Sequence, residues 1–340
     1  MITEKLSTLS GNYRDTVFRA AEILKKGGVV AIPTETVYGL AASAYDENAI
    51  KKVFEAKGRP QDNPLIVHVS DMEMLRQVAC DIPEYALECA AKFWPGPLTM
   101  VLPKTGKTAE CVSAGLNTVA VRMPSHPIAC DVIKASGLPL AAPSANISGS
   151  PSPTTPYHVE ADLDGKIDAI IYADECDVGV ESTVVSFCCN PPKLLRPGAV
   201  TFEELKKIIT DLAVDKAVFE EPQKGQRVES PGVKYKHYAP KTESYLVEGG
   251  SEAFAELVNE QENTVAICFA EESESITIPK LIYGSAADEL TLAHEVFSVL
   301  RKVDDFGAAK VFIHAPEKEG VGLAVYNRLI RAAAFRVIKL

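Results

Sequence analysis

Between Asp46 and His68 the chain reads DENAIKKVFEAKGRPQDNPLIVH, and no other stretch limits the possible folds as much. Apolar residues at helical spacing over 46–57 follow Asp46, a good N-cap. Gly58 and Pro60 then stop the helix, since a proline inside it would remove a hydrogen bond and clash with the preceding turn. A stiff turn through Asn63 and Pro64 leads into LIVHV, an apolar run with the composition of a buried strand. Helix, forced stop and buried strand in succession point to an α/β architecture. They also put Lys57 and Arg59 on one loop at a strand edge. An ammonium acting as a point charge and a guanidinium acting as a two-pronged donor together suit a polyphosphate. Solvated loop charges are the alternative, and only further polar loops at the same sheet edge decide between them.

The chain supplies such loops. A helix over 14–26 stops at Gly27 and Gly28, and the strand GVVAIPT runs into TETVYGL. Thr34 and Thr36 are thereby set at the strand's carboxyl end, where open α/β sheets take their ligands, although alone both read as ordinary strand formers. His68 lies inside LIVHV; without a second His or Cys at metal spacing it reads as a core residue. Helices over 71–79 and 83–93 precede the strands LTMVLP and NTVAVRMP, and in the second Arg122 interrupts an apolar alternation. A buried arginine needs a partner, either an internal carboxylate or one brought by a ligand. After a helix over 126–136, LPLAAP opens into SANISGSPSPT, whose hydroxyls and amides suit a plain turn or contact with phosphate and ribose. Strands over 168–173 and 182–187, the latter opened by Ser182 and Thr183, lead to LLRPGAV with Arg196 and a closing helix over 201–210.

Taken in order, TETVYGL, KGRPQDNPL, WPGPLT, VAVRMP, APSANISGSPSPT, ESTVV and LLRPGA closely resemble the threonylcarbamoyl-AMP synthase family, also called YrdC-like, over residues 15–210. SPGVKYKHYAP (230–240) and the residues after it resemble the linker and extra domain of the family's longer form, with Val233 where a methionine is expected. The resemblance implies a twisted open α/β sheet domain followed by a smaller Rossmann-like parallel α/β domain. Its boundaries would be 1–210 for the catalytic domain, 211–243 for a linker closing over the site as a lid, and 244–340 for the second domain. The implied reaction joins L-threonine, bicarbonate or CO2, and ATP carrying Mg2+ into threonylcarbamoyl-adenylate and pyrophosphate. The product would pass to a tRNA threonylcarbamoyl transferase partner that modifies the adenosine beside the anticodon. By the same resemblance Thr36, His68, Arg122, Ala142 and Ser182 hold threonine, which makes a ligand carboxylate the partner of Arg122. ATP is held by Lys57, Arg59, Asn63, Thr118, Ser144, Ser152 and Arg196, with Lys57 and Arg59 the catalytic cations and no side-chain metal cage; in the linker, the rings and donors of Tyr235 and His237, which solvent exposure would waste, are expected to meet ATP as well.

Charge narrows the partners. The net charge of −11 divides into −5 over 1–210 (20 Lys and Arg against 25 Asp and Glu) and −6 over the rest (15 against 21). Neither part is a general polyanion-binding surface, so a small anionic ligand in a local basic pocket is expected and strong direct nucleic-acid binding is not. This disfavours an RNA-binding module; an ATP-sensing regulator without turnover is the other rival, and an assay separates it from an enzyme. The eight cysteines show no metal-site spacing and read as buried thiols of a reducing compartment. With no apolar window of membrane-span length, the expected location is the cytoplasm and no membrane partner is foreseen. Beyond the linker SYLVEG, VAICFA, LIYGS and KVFIHA alternate with helices over 252–260, 288–303 and 322–336, which predicts a small parallel sheet. No Gly-x-Gly-x-x-Gly follows its first strand, and Gly320 and Gly322 read as a helix start rather than an anion seat.

Overall fold

A computed structural model describes residues 2–10, 12–221 and 238–340. The first region runs β1 (Glu4–Ser7), α1 (Tyr13–Lys25), β2 (Val30–Ile32), β3 (Gly39–Ser43), α2 (Glu47–Lys57), β4 (Ile66–His68), α3 (Met72–Val78), α4 (Glu84–Phe93) and β5 (Leu98–Pro103). It continues with β6 (Thr118–Arg122), α5 (Pro127–Ser136), β7 (Leu140–Ala141), α6 (Pro156–Leu163), β8 (Ala169–Tyr172), β9 (Thr183–Ser186), β10 (Lys193–Arg196), α7 (Phe202–Lys206) and β11 (Ala213–Val214). The strands form one mixed sheet in the order β1-β8-β2-β3-β7-β4-β6-β5-β9-β10-β11.

The opening stretch folds as its residues dictate. Asp46 caps α2 by accepting from the amides of Asn48 and Ala49, and Gly58 ends the helix in the left-handed conformation, φ 59°, which costs glycine nothing. The chain then enters β4, buried along its length and paired in parallel with β6, so that His68 lies opposite Arg122. On the other side of β6, β5 runs antiparallel with Thr99 opposite Arg122, and β9 follows β5 in parallel with Val184 opposite Thr99. The carboxyl ends of β4 and β6 and the start of β9 therefore converge on one place.

Two differences from expectation concern the edges. The short strand β1 precedes the expected first strand and pairs with β8, and the sheet runs past residue 210 because β11 pairs with Lys193 and Leu194. Both are short edge strands whose pairing is supplied by distant chain, which periodicity does not reveal.

The second region comprises β12 (Glu243–Glu248), α8 (Ser251–Asn259), β13 (Thr264–Cys268), β14 (Lys280–Ile282), α9 (Glu289–Lys302), β15 (Lys310–His314), α10 (Gly322–Ala332) and β16 (Val337–Lys339). Its sheet, in the order β14-β13-β15-β12-β16, is parallel throughout. Helix α8 covers one face through Phe254 and Val258, while α9 and α10 cover the other through Leu292, Val296, Leu300 and Leu329. The last helix ends at Ala332 rather than 336, because Ala334 and Phe335 take positive φ (49° and 60°) and turn the chain into β16 beside β12. Gly322 donates its amide to the Glu289 carboxylate at 2.9 Å, so this helix start is closed by the protein itself. The core under α9 and α10 also takes in Val37, Val180 and Tyr238, and through them the two regions share one apolar cluster.

All eight cysteines are free, but only Cys89, Cys176 and Cys268 are buried and Cys188 is exposed, which corrects the reading of uniformly buried thiols. No helix among the described residues is long and apolar enough to cross a membrane.

Candidate active site

A pocket opens where β4, β6 and β9 converge, lined by Thr34, Thr36, Val37, Gly39, Arg59, Ile66, His68, Arg122, Ala142, Pro143, Ser144, Glu181, Ser182, Arg196 and Tyr238. Eight residues expected from the sequence thus meet in it: Thr36, Arg59, His68, Arg122, Ala142, Ser144, Ser182 and Arg196.

Arg122 is the most constrained of them. Its Nη1 donates to Thr36 Oγ1 at 2.8 Å and its Nε to the Gly96 carbonyl at 3.3 Å. Nη2 lies 2.7 Å from Glu35 Oε1, both side chains being buried. The internal carboxylate left open by the residue pattern is therefore present, a correction to the expectation that a ligand alone would satisfy this arginine. Burial raises the Glu35 pKa, but the Arg122 charge outweighs it and the carboxyl is held below its ordinary range. Beside it, burial and the Arg122 charge push His68 down to about 3, so the ring is neutral. Neither ring nitrogen of this buried histidine has a hydrogen-bond partner among the described residues. A buried imidazole left in this state costs free energy unless something else supplies the partner.

Just before β9, Ser182 Oγ meets Thr99 Oγ1 of β5 at 2.8 Å. Arg196 donates through Nε to the Ser182 carbonyl at 3.0 Å and through Nη2 to its hydroxyl at 3.1 Å. That approach depends on Gly198, where a Cβ would fall 2.4 Å from the Thr183 amide nitrogen. Thr34 donates to the Val37 carbonyl at 2.6 Å and fixes the TETV turn beneath Thr36.

Other expected residues fall behind the lining. Lys57 is buried, and its ammonium donates to the carbonyls of Ser144 and Asn146, the latter at 2.6 Å. Burial, reinforced by the Arg59 charge, pushes its pKa well below the ordinary value. Lys57 thus ties down the 144–146 loop, while Arg59 reaches the pocket wall and donates to the Pro64 carbonyl at 3.0 Å. Asn63 is buried, with Oδ1 unpartnered among the described residues. Ser152 is buried and donates to Glu181 Oε1 at 2.5 Å. Thr118 opens β6 on the same face as Ala120 and Arg122 but lies outside the lining. Along that face Ile66, Val101, Ala120 and Val184 form an apolar patch. Tyr235 and His237 lie outside the described residues, as does most of the expected lid.

Sequence reasoning missed Glu35 and Glu181, and assigned Tyr238, an aromatic of the linker, no ligand. The first two stand in TET and ESTV, where a carboxylate set among residues of strand character was a usable sign of a buried cation. Tyr238 reaches the pocket at φ 63°, packed in the core of the second region.

The profile described as "Telomere recombination" matches residues 22–198, and that of the threonylcarbamoyl-AMP synthase C-terminal domain matches 200–334. The chain is 45% identical to threonylcarbamoyl-AMP synthase of Pyrococcus abyssi over 332 residues, covering 94% of each chain. This chain belongs to the threonylcarbamoyl-AMP synthase family. The Bacillus subtilis member of the family is 42% identical over 344 residues, 99% of this chain and 97% of that one. The structure of P. abyssi Sua5 complexed with L-threonine superposes with a TM-score of 0.92 at 41% identity, covering both chains fully (100% each).

Proposed function

We propose that this pocket binds L-threonine and ATP and makes threonylcarbamoyl-adenylate and pyrophosphate. The observation that carries the reading is the buried Arg122, lining the pocket beside a neutral His68 with unengaged ring nitrogens, in a chain of this family. Threonine's carboxylate would dock on Arg122 and Thr36, with Ser182 and the backbone near Ala142 around it. Arg59, Arg196 and Ser144 would take the nucleotide, with Ser152, Asn63 and Lys57 holding the loops behind them, and Thr118 would lie further along the β6 face.

The amine of threonine adds to CO2 to form a carbamate and release a proton. A carbamate oxygen then attacks the α-phosphorus, and the bond to the α–β bridging oxygen breaks to release pyrophosphate. A carbamate is a weak nucleophile, so positioning and neutralisation of phosphate charge do most of the work and no side chain need act as nucleophile. Among the described residues no three His, Cys, Asp or Glu side chains gather in a metal-holding group. Magnesium would enter with ATP, held by phosphate oxygens and water, and would neutralise the triphosphate. The product would pass to a tRNA threonylcarbamoyl transferase in the cytoplasm.

Pyrophosphate release should require threonine and bicarbonate together. Serine, one methyl smaller, should be a poorer substrate by about 10- to 200-fold. Equal release with every amino acid, or with none, would overturn the reading, and ATP binding without release would favour a sensor.

A further inference from the structure

The loop Gly179-Val180-Glu181-Ser182 belongs to the first region, yet the second region holds three of its four residues. Gly179 presses on α9: its φ is +81°, and a Cβ there would lie 2.4 Å from the Ala293 carbonyl oxygen. Val180 is packed in the core under α9 and α10. Glu181, a lining residue of the pocket, is met by Arg328 of α10, a fully buried residue outside the lining. Arg328 Nε donates to Glu181 Oε2 at 2.7 Å, Nη2 to the Glu181 carbonyl at 3.1 Å and Nη1 to the Pro197 carbonyl at 2.9 Å. One guanidinium therefore grips the two segments that end in the pocket residues Ser182 and Arg196. A second, Arg301 of α9, binds Asp162 at 2.9 Å and the carbonyl of Pro151, next to Ser152, whose hydroxyl goes to Glu181.

We infer that the carboxyl-terminal region completes the active site in cis, with Arg328 a positioning residue that sets Glu181, Ser182 and Arg196 at their working geometry; this rests on the function proposed above. The chemistry favours a direct role for the fork. The three acceptors are met by three separate nitrogens of the planar guanidinium, a fixed fork that the compact point charge of an ammonium does not reproduce. Desolvation opposes ionisation of Glu181, but Arg328 and then Arg196 outweigh it, so this pocket wall stays an anion. The region thus acts on the pocket through a described contact, beyond any part it has in anchoring the linker.

The test compares Arg328→Lys, Arg328→Met, Gly179→Ala and Arg328→Met/Glu181→Gln with the full-length wild-type chain. Pyrophosphate release, thermal unfolding and hydrogen exchange of peptides spanning 179–186 and 193–200 are measured. Arg328→Lys should keep a cooperative melt but raise KM for threonine and ATP, lowering kcat/KM at least tenfold, and should speed exchange in both segments. Gly179→Ala should do the same to a smaller degree without touching a polar group of the site. The double variant, with neither charge, should melt above Arg328→Met yet stay as impaired. A merely structural Arg328 would lower the active fraction at unchanged KM, and that outcome, or unchanged exchange in both segments of Arg328→Lys, overturns the inference. Should the wild-type chain release no pyrophosphate, the proposed function fails, while the exchange readout still decides whether Arg328 holds these segments.

Discussion

Two buried arginine–glutamate pairs border the pocket, and they are turned opposite ways. In Arg122–Glu35 the arginine is the member that lines the pocket and the glutamate supports it; in Arg328–Glu181 the glutamate is the lining member and the arginine supports it. The first pair is local to one sheet, while the second joins residues 147 apart, one from each region. Burying an ion pair gains little net stability, because desolvation offsets the attraction, but removing one partner strands the other. Each pair therefore serves to hold one charge at a chosen place. Whichever member faces the pocket is set by where its partner is anchored.

The largest effect expected of any change to this arrangement is that of Arg122→Ala. Threonine-dependent kcat/KM should fall more than 100-fold, and urea unfolding should show a loss of roughly 3–5 kcal/mol, because Glu35 is left buried and alone. Arg122→Met/Glu35→Gln should recover stability without activity. Unchanged threonine affinity in Arg122→Ala would reduce this pair to a structural device and erase the contrast.

An intermediate effect is expected of pH on the second pair. Glu181 is lowered to about 2 from its model-peptide value of 4.5. A depressed carboxylate contributes stability above its unfolded pKa and loses it as pH falls through the folded one. The contribution, about 3 kcal/mol at 1.36 kcal/mol per pKa unit, should be intact above pH 4.5 and fade toward pH 2. Acid titration of wild type and Glu181→Gln should thus show curves that converge over that window; parallel curves would mean that Glu181 is not held ionised by Arg328.

The smallest effect belongs to Glu35→Gln. An amide oxygen can still accept from Arg122, and the guanidinium keeps Thr36 and the Gly96 carbonyl. Calorimetric threonine affinity should change less than tenfold. A loss as large as that of Arg122→Ala would make Glu35 as important as the arginine and sharpen the pairing into a single unit.

Much of the site was legible because its residues stand at strand ends and turns whose local chemistry is distinctive. The stop at Gly58 and Pro60, the threonines of TETV and the arginine interrupting VAVR each break a pattern, and the fold brings Arg59, Thr36 and Arg122 into one pocket. Lys57 broke the same pattern and yet turned inward, where its ammonium meets the carbonyls of Ser144 and Asn146 in the 144–146 loop. Nothing within a few residues of Lys57 announces that loop.

The sequence by itself determined the alternation of helix and strand, the acidic surface that leaves only a local pocket for anions, and the parallel second sheet. These follow from periodicity, capping and composition, which act within a helical turn or a pleat. Tertiary structure alone decided which charge of each buried pair faces the pocket, that β1 and β11 exist, and that Glu181, Arg328 and Tyr238 meet at all. These contacts join residues far beyond a helical turn or a pleat, 147 apart for Glu181 and Arg328, and pairing at such range is specified by the shape of the packed core rather than by any local pattern.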